Sequence, residues 1–261
     1  MKLTIKQPDL IKLLNYLSVD GIYPYAVLVL GDKALVSSQP EKSGLGWRFC
    51  MFASKYFESY EPDDNACKID VAEAKKFVSL YATDEIITLQ YPSPAKNAEN
   101  KLQISSKNAI DYLDTGTIED KEKRHKLPFK TEDGYPFIQK GKVKLGTHIT
   151  INKDVLTKLQ KRASAHGSEY YRFIIGKQET LITRLGDVKA VANHSTVKPE
   201  STVHSHEKTL DCTFTRGFKE LSNTIIDSLD MYMKTASAGW FVEKGDHYFF
   251  GILLSPAKQR K

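Results

Sequence analysis

The chain has 261 residues, 41% of them hydrophobic and 27% charged, with a formal net charge of +6. This length suits two domains of ordinary size, each with its own core, and the composition is that of a soluble globular protein, excluding a disordered or fibrous chain. The longest apolar runs, Ala26–Leu30 and Tyr248–Leu254, are too short to cross a bilayer. The opening MKLTIKQPD has no apolar core of the kind a cleaved secretory signal needs. Cys50, Cys67 and Cys212 make no CxxC pair, which predicts reduced, mostly buried thiols in a reducing compartment.

In chain order, a short strand at Leu3-Thr4-Ile5 leads into a helix over Asp9–Leu17, opened by Pro8 and Asp9 and followed by Gly21. Leu10, Leu13, Leu14 and Leu17 share one helical face and Lys12 points the other way. Strands are predicted at Tyr25–Leu30, Lys33–Ser38 and Trp47–Phe52, leading into Tyr56–Tyr60. A second strand, Lys68-Ile69-Asp70, enters a helix over Val71–Tyr81. Its apolar face is Ala74, Phe77, Val78 and Tyr81, with Lys75, Lys76 and Ser79 toward the other. Strands follow at Ile86–Tyr91, Lys101–Ser106 and Ala109–Thr115.

Residues 119–136 are dense in mixed charge, and Pro128, Gly134 and Pro136 oppose regular structure, so this stretch reads as a connector between domains 1–118 and 137–261. The second domain repeats the plan. Ile149-Thr150-Ile151 runs into a helix from Asn152 or Lys153 to about His166, ended by Gly167. Val155, Leu156, Leu159 and Ala163 form its apolar stripe, and Lys161, flanked by Lys158 and Arg162, lies nearly opposite. Strands Tyr170–Ile175, Thr180–Leu185 and Val188–Asn193 come next, then a polar loop from His194 to Lys208. Thr213-Phe214-Thr215 enters the last helix, Gly217–Ile226, with Phe218, Leu221 and Ile225 inward and Lys219 and Asn223 outward. Two closing strands, Gly239–Glu243 and His247–Leu254, end the fold.

The four strand–helix units are evenly spaced in pairs. The steps within each half are 65 and 64 residues, and the halves are offset by 146 and 145. Such a period is the signature of a duplicated architecture and outranks any single motif. Charge is uneven: residues 1–118 carry a net −2, residues 119–136 balance, and residues 137–261 carry +8. Every helix pairs an apolar face with at least one lysine on the other side. If the repeats bring the helices to one side, their lysines make a positive surface suited to phosphate contact without base reading.

This organisation resembles the DNA sliding clamps of the proliferating cell nuclear antigen (PCNA) type. Local strings are similar as well: Tyr56-Phe57-Glu58-Ser59-Tyr60, Asp84–Leu89, and the ending Leu253-Leu254-Ser255-Pro256. The resemblance implies an α+β fold of duplicated β-α-β-β-β units, with helices on one face of antiparallel sheets. It implies a homotrimeric ring around duplex DNA that tethers DNA polymerase and other proteins carrying clamp-binding motifs, and that a clamp loader places on DNA. By position, the DNA-facing residues would be Lys12, Lys75, Lys76, Lys153, Lys158, Lys161, Arg162 and Lys219. Subunits would join through edge strands near Lys107–Thr115 and Val188–Asn193, with Lys107, Ile110, Tyr112, Val188, Ala190 and Ala192 at the interface. Partner motifs would dock on Gln39, Leu127, Pro128, Phe129, Leu254, Ser255 and Pro256. The setting would be intracellular: cytoplasm, nucleoid, nucleus or a virus-infected cell. Two departures, the basic balance with its tail Ala257–Lys261 and the long loop Asn193–Lys208, mark a divergent lineage, viral, plasmid-borne or archaeal.

No catalytic chemistry assembles. His204-Ser205-His206 with His194 is weak metal spacing in a polar loop, Gly44-Leu45-Gly46 does not extend to a phosphate-binding fingerprint, and Asp63-Asp64 sits in a turn. The expectation is no enzyme, no cofactor, no metal and no membrane partner. One rival reading is a monomeric or dimeric processivity factor of viral type that binds DNA directly through its basic half. Another is a small nucleic-acid enzyme that would depend on His194, His204 or His206.

Overall fold

The structure is a computed structural model. It describes residues 1–41, 46–63, 65–119, 129–132, 135–138, 143–168, 170–176, 180–186, 194–206 and 209–257; for 129–132, 135–138, His194 and Arg216 it describes the backbone only. The chain is α+β. Its elements run β1 (Lys2–Lys6), α1 (Gln7–Ser18), β2 (Tyr25–Leu30), β3 (Ala34–Pro40), β4 (Gly46–Ala53), a 3-10 turn (Ser54–Tyr56), β5 (Ser59–Glu61), β6 (Ala66–Asp70), α2 (Val71–Val78), β7 (Ile86–Gln90), β8 (Lys101–Ser105) and β9 (Ile110–Asp114). There follow β10 (Phe129–Glu132), β11 (Tyr135–Ile138), β12 (Val143–Lys144), β13 (Thr147–Asn152), α3 (Lys153–Ala165), β14 (Tyr171–Ile175), β15 (Leu181–Gly186) and β16 (His194–Val197). The last are β17 (Thr202–Ser205), β18 (Leu210–Phe214), α4 (Arg216–Thr224), β19 (Ser228–Met233), β20 (Gly239–Gly245) and β21 (Tyr248–Leu254).

Two compact units divide the chain. One comprises Met1–Glu41, Arg48–Lys126 and Lys244–Phe250; the other comprises Lys42–Trp47, Leu127–Glu243 and Gly251–Lys261. Within each, the two repeats exchange strands. In the first unit β1 pairs with β7, the strand after the second helix, giving the order β5-β1-β7-β8-β9, while β6 pairs with β2 in the order β4-β3-β2-β6. The second unit repeats this: β13 pairs with β19 in the order β17-β13-β19-β20, and β18 pairs with β14 in the order β16-β15-β14-β18. All four of these pairings are antiparallel, and the reciprocal exchange makes each strand–helix unit depend on its repeat for sheet edges.

The helices form where the stripes predict. Asp70 caps α2 by accepting from the Glu73 amide, and Asn152 caps α3 by accepting from the Val155 amide. Leu10, Leu13, Leu14 and Leu17 are buried in the first unit; Leu156, Leu159, Phe218 and Leu221 are buried in the second. Rings of Tyr171, Phe173, Phe214, Phe218 and Phe241 pack tilted or edge-on at centroid distances of 5.0–6.2 Å. Arg48, with no exposed surface, donates to the Leu17 carbonyl, to Ser37 Oγ at 2.8 Å and to Gln39 Oε1 at 3.2 Å. Those acceptors supply part of the compensation a buried guanidinium requires.

Several expectations needed correction. The helix predicted to reach Tyr81 stops at Val78, though Tyr81 stays buried with its hydroxyl on the Ile104 carbonyl. The stretch read as wholly irregular around Gly134 carries the β10–β11 ladder, with Thr131 opposite Pro136. The polar loop His194–Lys208 contains β16 and β17, whose Thr and Val residues suit a half-buried edge. Strand β19 falls in a stretch for which the sequence predicts no element. Its Leu229, Met231 and Met233 alternate inward, but two methionines give a weak strand signal.

All three cysteines are unpaired and buried, and burial pushes each thiol up to about 12. A thiol whose folded value lies above its ordinary one favours the folded state at neutral pH. That contribution is whole below the ordinary value of 9.0 and is lost as pH rises toward about 12. Ellman's reagent at pH 8 should therefore leave the native protein unlabelled and count three thiols only after denaturation, and urea midpoints should fall between pH 9 and 12.

Candidate nucleic-acid interface

The eight basic residues assigned to DNA separate into two groups. Three are engaged within the fold. Lys12 is half-buried with its ammonium 4.2 Å from the centroid of the Tyr248 ring, a cation–π contact. Lys75 donates to Ser18 Oγ at 2.7 Å, and Lys153 donates to the carbonyls of Ser222 at 2.8 Å and Asn223 at 3.3 Å. Lys153 thus satisfies carbonyl groups in the last turn of α4, where intrahelical donors run out. Desolvation lowers the pKa of both Lys75 and Lys153.

The other five, Lys76, Lys158, Lys161, Arg162 and Lys219, are exposed. Lys76 lies on an open cleft with Asp70, Glu73, Phe77 and Leu80, so acidic neighbours temper its field. Lys158, Lys161 and Arg162 occupy the solvent face of α3, and Lys219 that of α4. These two helices are tied by Gln160, whose amide reaches the Lys219 carbonyl at 3.1 Å, Ser222 Oγ at 2.8 Å and Asn223 Oδ1 at 2.6 Å. The second unit therefore presents a cluster of long cations on two joined helices. Such a surface can hold phosphates through charge and cannot by itself read bases.

At the end of the five-stranded sheet, β9 has Ile110 58% and Tyr112 38% exposed on the face opposite buried Leu113. Lys107 is exposed in the turn before it. In the four-stranded sheet the terminal strand among the described residues is β16, paired with β15 from Thr183↔Val197 to Gly186↔His194. Val188, Ala190 and Ala192 lie outside the described residues.

No family model and no curated protein matches this chain in sequence. Solved structures do match in fold. Proliferating cellular nuclear antigen from Entamoeba histolytica superposes with a TM-score of 0.76 at 12% identity, covering 98% of each chain. PCNA from Thermococcus kodakaraensis gives 0.74 at 11% identity, over 98% of this chain and 99% of that one. PCNA of A. fulgidus, in a structure with the C-terminal region of FEN-1, gives 0.70 at 14% identity, over 100% and 99%. This chain has the PCNA clamp fold.

Of the positions assigned to partner motifs on the clamp fold, Gln39 is half-buried and its carbonyl oxygen accepts from Arg48. Leu254 is buried beside Gly217, where an added Cβ would stand 3.0 Å from Leu254 Cδ2. Ser255 and Pro256 are half-buried. Leu127 and Pro128 lie outside the described residues, and Phe129 opens β10. One cluster escaped the sequence reading: His148, Thr150, His204 and Asp230 on β13, β17 and β19. Alternation in the stretch His148–Thr150 marks a polar strand face, but partners 54 to 82 residues away have no local signal.

Proposed function

We propose that this chain is a sliding clamp: a non-enzymatic processivity factor that closes as a homotrimeric ring around duplex DNA inside the cell. Its two clamp domains, 1–118 and 137–261, are joined by the connector 119–136. In this reading the exposed cations of α3 and α4, with Lys76, attract phosphates loosely enough for sliding, while Lys12, Lys75 and Lys153 contribute charge from fixed positions. Edge strand β9 of one subunit pairs with the β16 edge, or the adjoining Val188–Asn193, of the next, since an exposed strand edge is a template for another chain. A heterologous contact of this kind closes into a ring when the rotation permits. A clamp loader opens the ring. DNA polymerase and other replication or repair proteins dock through short motifs on Gln39, Leu127, Pro128, Phe129 and Leu254–Pro256, and tethering raises their effective concentration at the primer end.

The observation that carries this reading is the full-length match to three PCNA structures, without a large insertion or missing element. The +8 balance of residues 137–261 favours a second reading, a monomeric or dimeric factor that holds DNA by charge alone. Light scattering across a concentration series decides between them. A species near three times the 29.5 kDa of one chain supports the ring, and a stable monomer favours the second reading.

A further inference from the structure

The reciprocal strand pairing of the second unit gathers a set of metal-ligating groups on the sheet face opposite its buried residues. Residues 148 and 150 of β13 point away from buried Ile149 and Ile151. Opposite them in register stand Tyr232 and Asp230 of β19, and on the other side β17 brings His204, after a register shift between His148 and Ile149. His148, His204 and Asp230 each offer a ligand atom, and these atoms lie within 4.8 Å of one another.

The contacts orient these groups. Thr150 Oγ1 is 2.6 Å from Asp230 Oδ1 and 2.8 Å from His204 Nε2. A hydroxyl has one proton and a carboxylate only accepts, so Thr150 donates to Asp230 and His204 Nε2–H donates to Thr150. His148 Nε2 lies 3.2 Å from the same carboxylate oxygen. The His148 ring is stacked between His204 and Tyr232, each centroid 4.3 Å away. All three are held by neighbours, and His204, bonded to Thr150 and stacked on His148, is the exposed member whose ring has room to turn toward an ion.

We propose that His148, His204 and Asp230 form a binding site for a divalent transition metal of the zinc class, independent of any clamp activity. With metal–ligand bonds of about 2.1 Å, a tetrahedral ion holds its ligand atoms about 3.4 Å apart. His148 and Asp230 already meet that spacing, and rotation of the exposed His204 ring closes the rest. A neutral imidazole can carry its proton on either nitrogen, so moving it to Nδ1 hands the Nε2 lone pair to the ion without a change in charge. Two imidazoles and one carboxylate select zinc-class ions over magnesium and calcium, which prefer oxygen. Thr150 becomes an outer partner that orients Asp230. The three ligands come from three neighbouring strands, so the ion fastens β17, the terminal strand of its sheet, to β13 and β19.

The test is calorimetric titration of the untagged, chelator-treated full chain with zinc chloride at neutral pH. One equivalent should bind, magnesium should give no heat, and zinc should raise the thermal midpoint. His204→Asn, on an exposed side chain, should abolish both the binding and the thermal shift. Thr150→Val should weaken binding by about 10- to 100-fold. His166→Asn and His247→Asn, at exposed histidines elsewhere, should change neither. Zinc binding that survives His204→Asn, or is lost in His166→Asn or His247→Asn, overturns the proposal, as does the absence of binding in the parent chain.

Discussion

Replacing Ile110 by Asp should convert a ring-sized particle into a monomer near 29.5 kDa, with helix and sheet content unchanged. Ile110 is 58% exposed at the start of β9, the terminal strand of its sheet, so the substitution removes no core contact in the isolated chain. In a ring joined through β9 the same side chain would lie against the neighbouring subunit. Burying an Ile contributes roughly 1.5–3 kcal/mol, and an unpaired carboxylate in its place adds a desolvation cost of several kcal/mol. In a homotrimeric ring three equivalent joints would carry the defect, so a modest cost at each would become a large one for closure. Sedimentation of Ile110→Asp beside the parent chain reads the result. Were the variant to stay trimeric, β9 would not be the joint, and the apolar face of Ile110 and Tyr112 would need another partner.

The architecture was legible because it rests on local periodicity. The stripes Leu10–Leu13–Leu14–Leu17 and Val155–Leu156–Leu159–Ala163 predict their helices and are buried as expected. What local pattern could not give was the exchange of strands between repeats, because β1 finds β7 and β13 finds β19 some 80 residues along the chain. It also failed where strand composition is unusual. Methionines hid β19, while charge and proline around Gly134 hid β10 and β11.

The candidate interface was legible only as residue types. A lysine opposite an apolar stripe points outward on a helical wheel, yet Lys12 rests on Tyr248, Lys75 on Ser18 and Lys153 on the end of α4. Those partners lie 57 to 236 residues away, and a long alkyl stem lets an ammonium reach back to a neighbour that no wheel contains. The histidine cluster follows the same rule. Sequence proximity joined His204 with His206 and His194, whereas strand register joins His204 with His148 and Asp230.

This division of the lysines makes the second large prediction. Changing Lys158, Lys161, Arg162 and Lys219 together to Glu should abolish retention on duplex DNA at moderate salt while leaving the fold intact, since all four are exposed. Each phosphate contact adds about −0.9 to the slope of log affinity against log salt, so losing four should flatten the slope by roughly 3 to 4. Anisotropy of a labelled duplex over a salt series measures that slope directly. Neutralising Lys12, Lys75 and Lys153 as Gln should produce the opposite balance. DNA binding should weaken less, because their ammonium groups already have partners. Stability should fall more, because Ser222 and Asn223 lose the donor at the end of α4 and Tyr248 loses its cation. A quadruple reversal that keeps the parent's salt slope would place the phosphate contacts away from α3 and α4. The reversal also takes residues 137–261 from +8 to neutral, so a slope that survived it could not come from a diffuse field of that half either, and the contacts would have to lie on other residues.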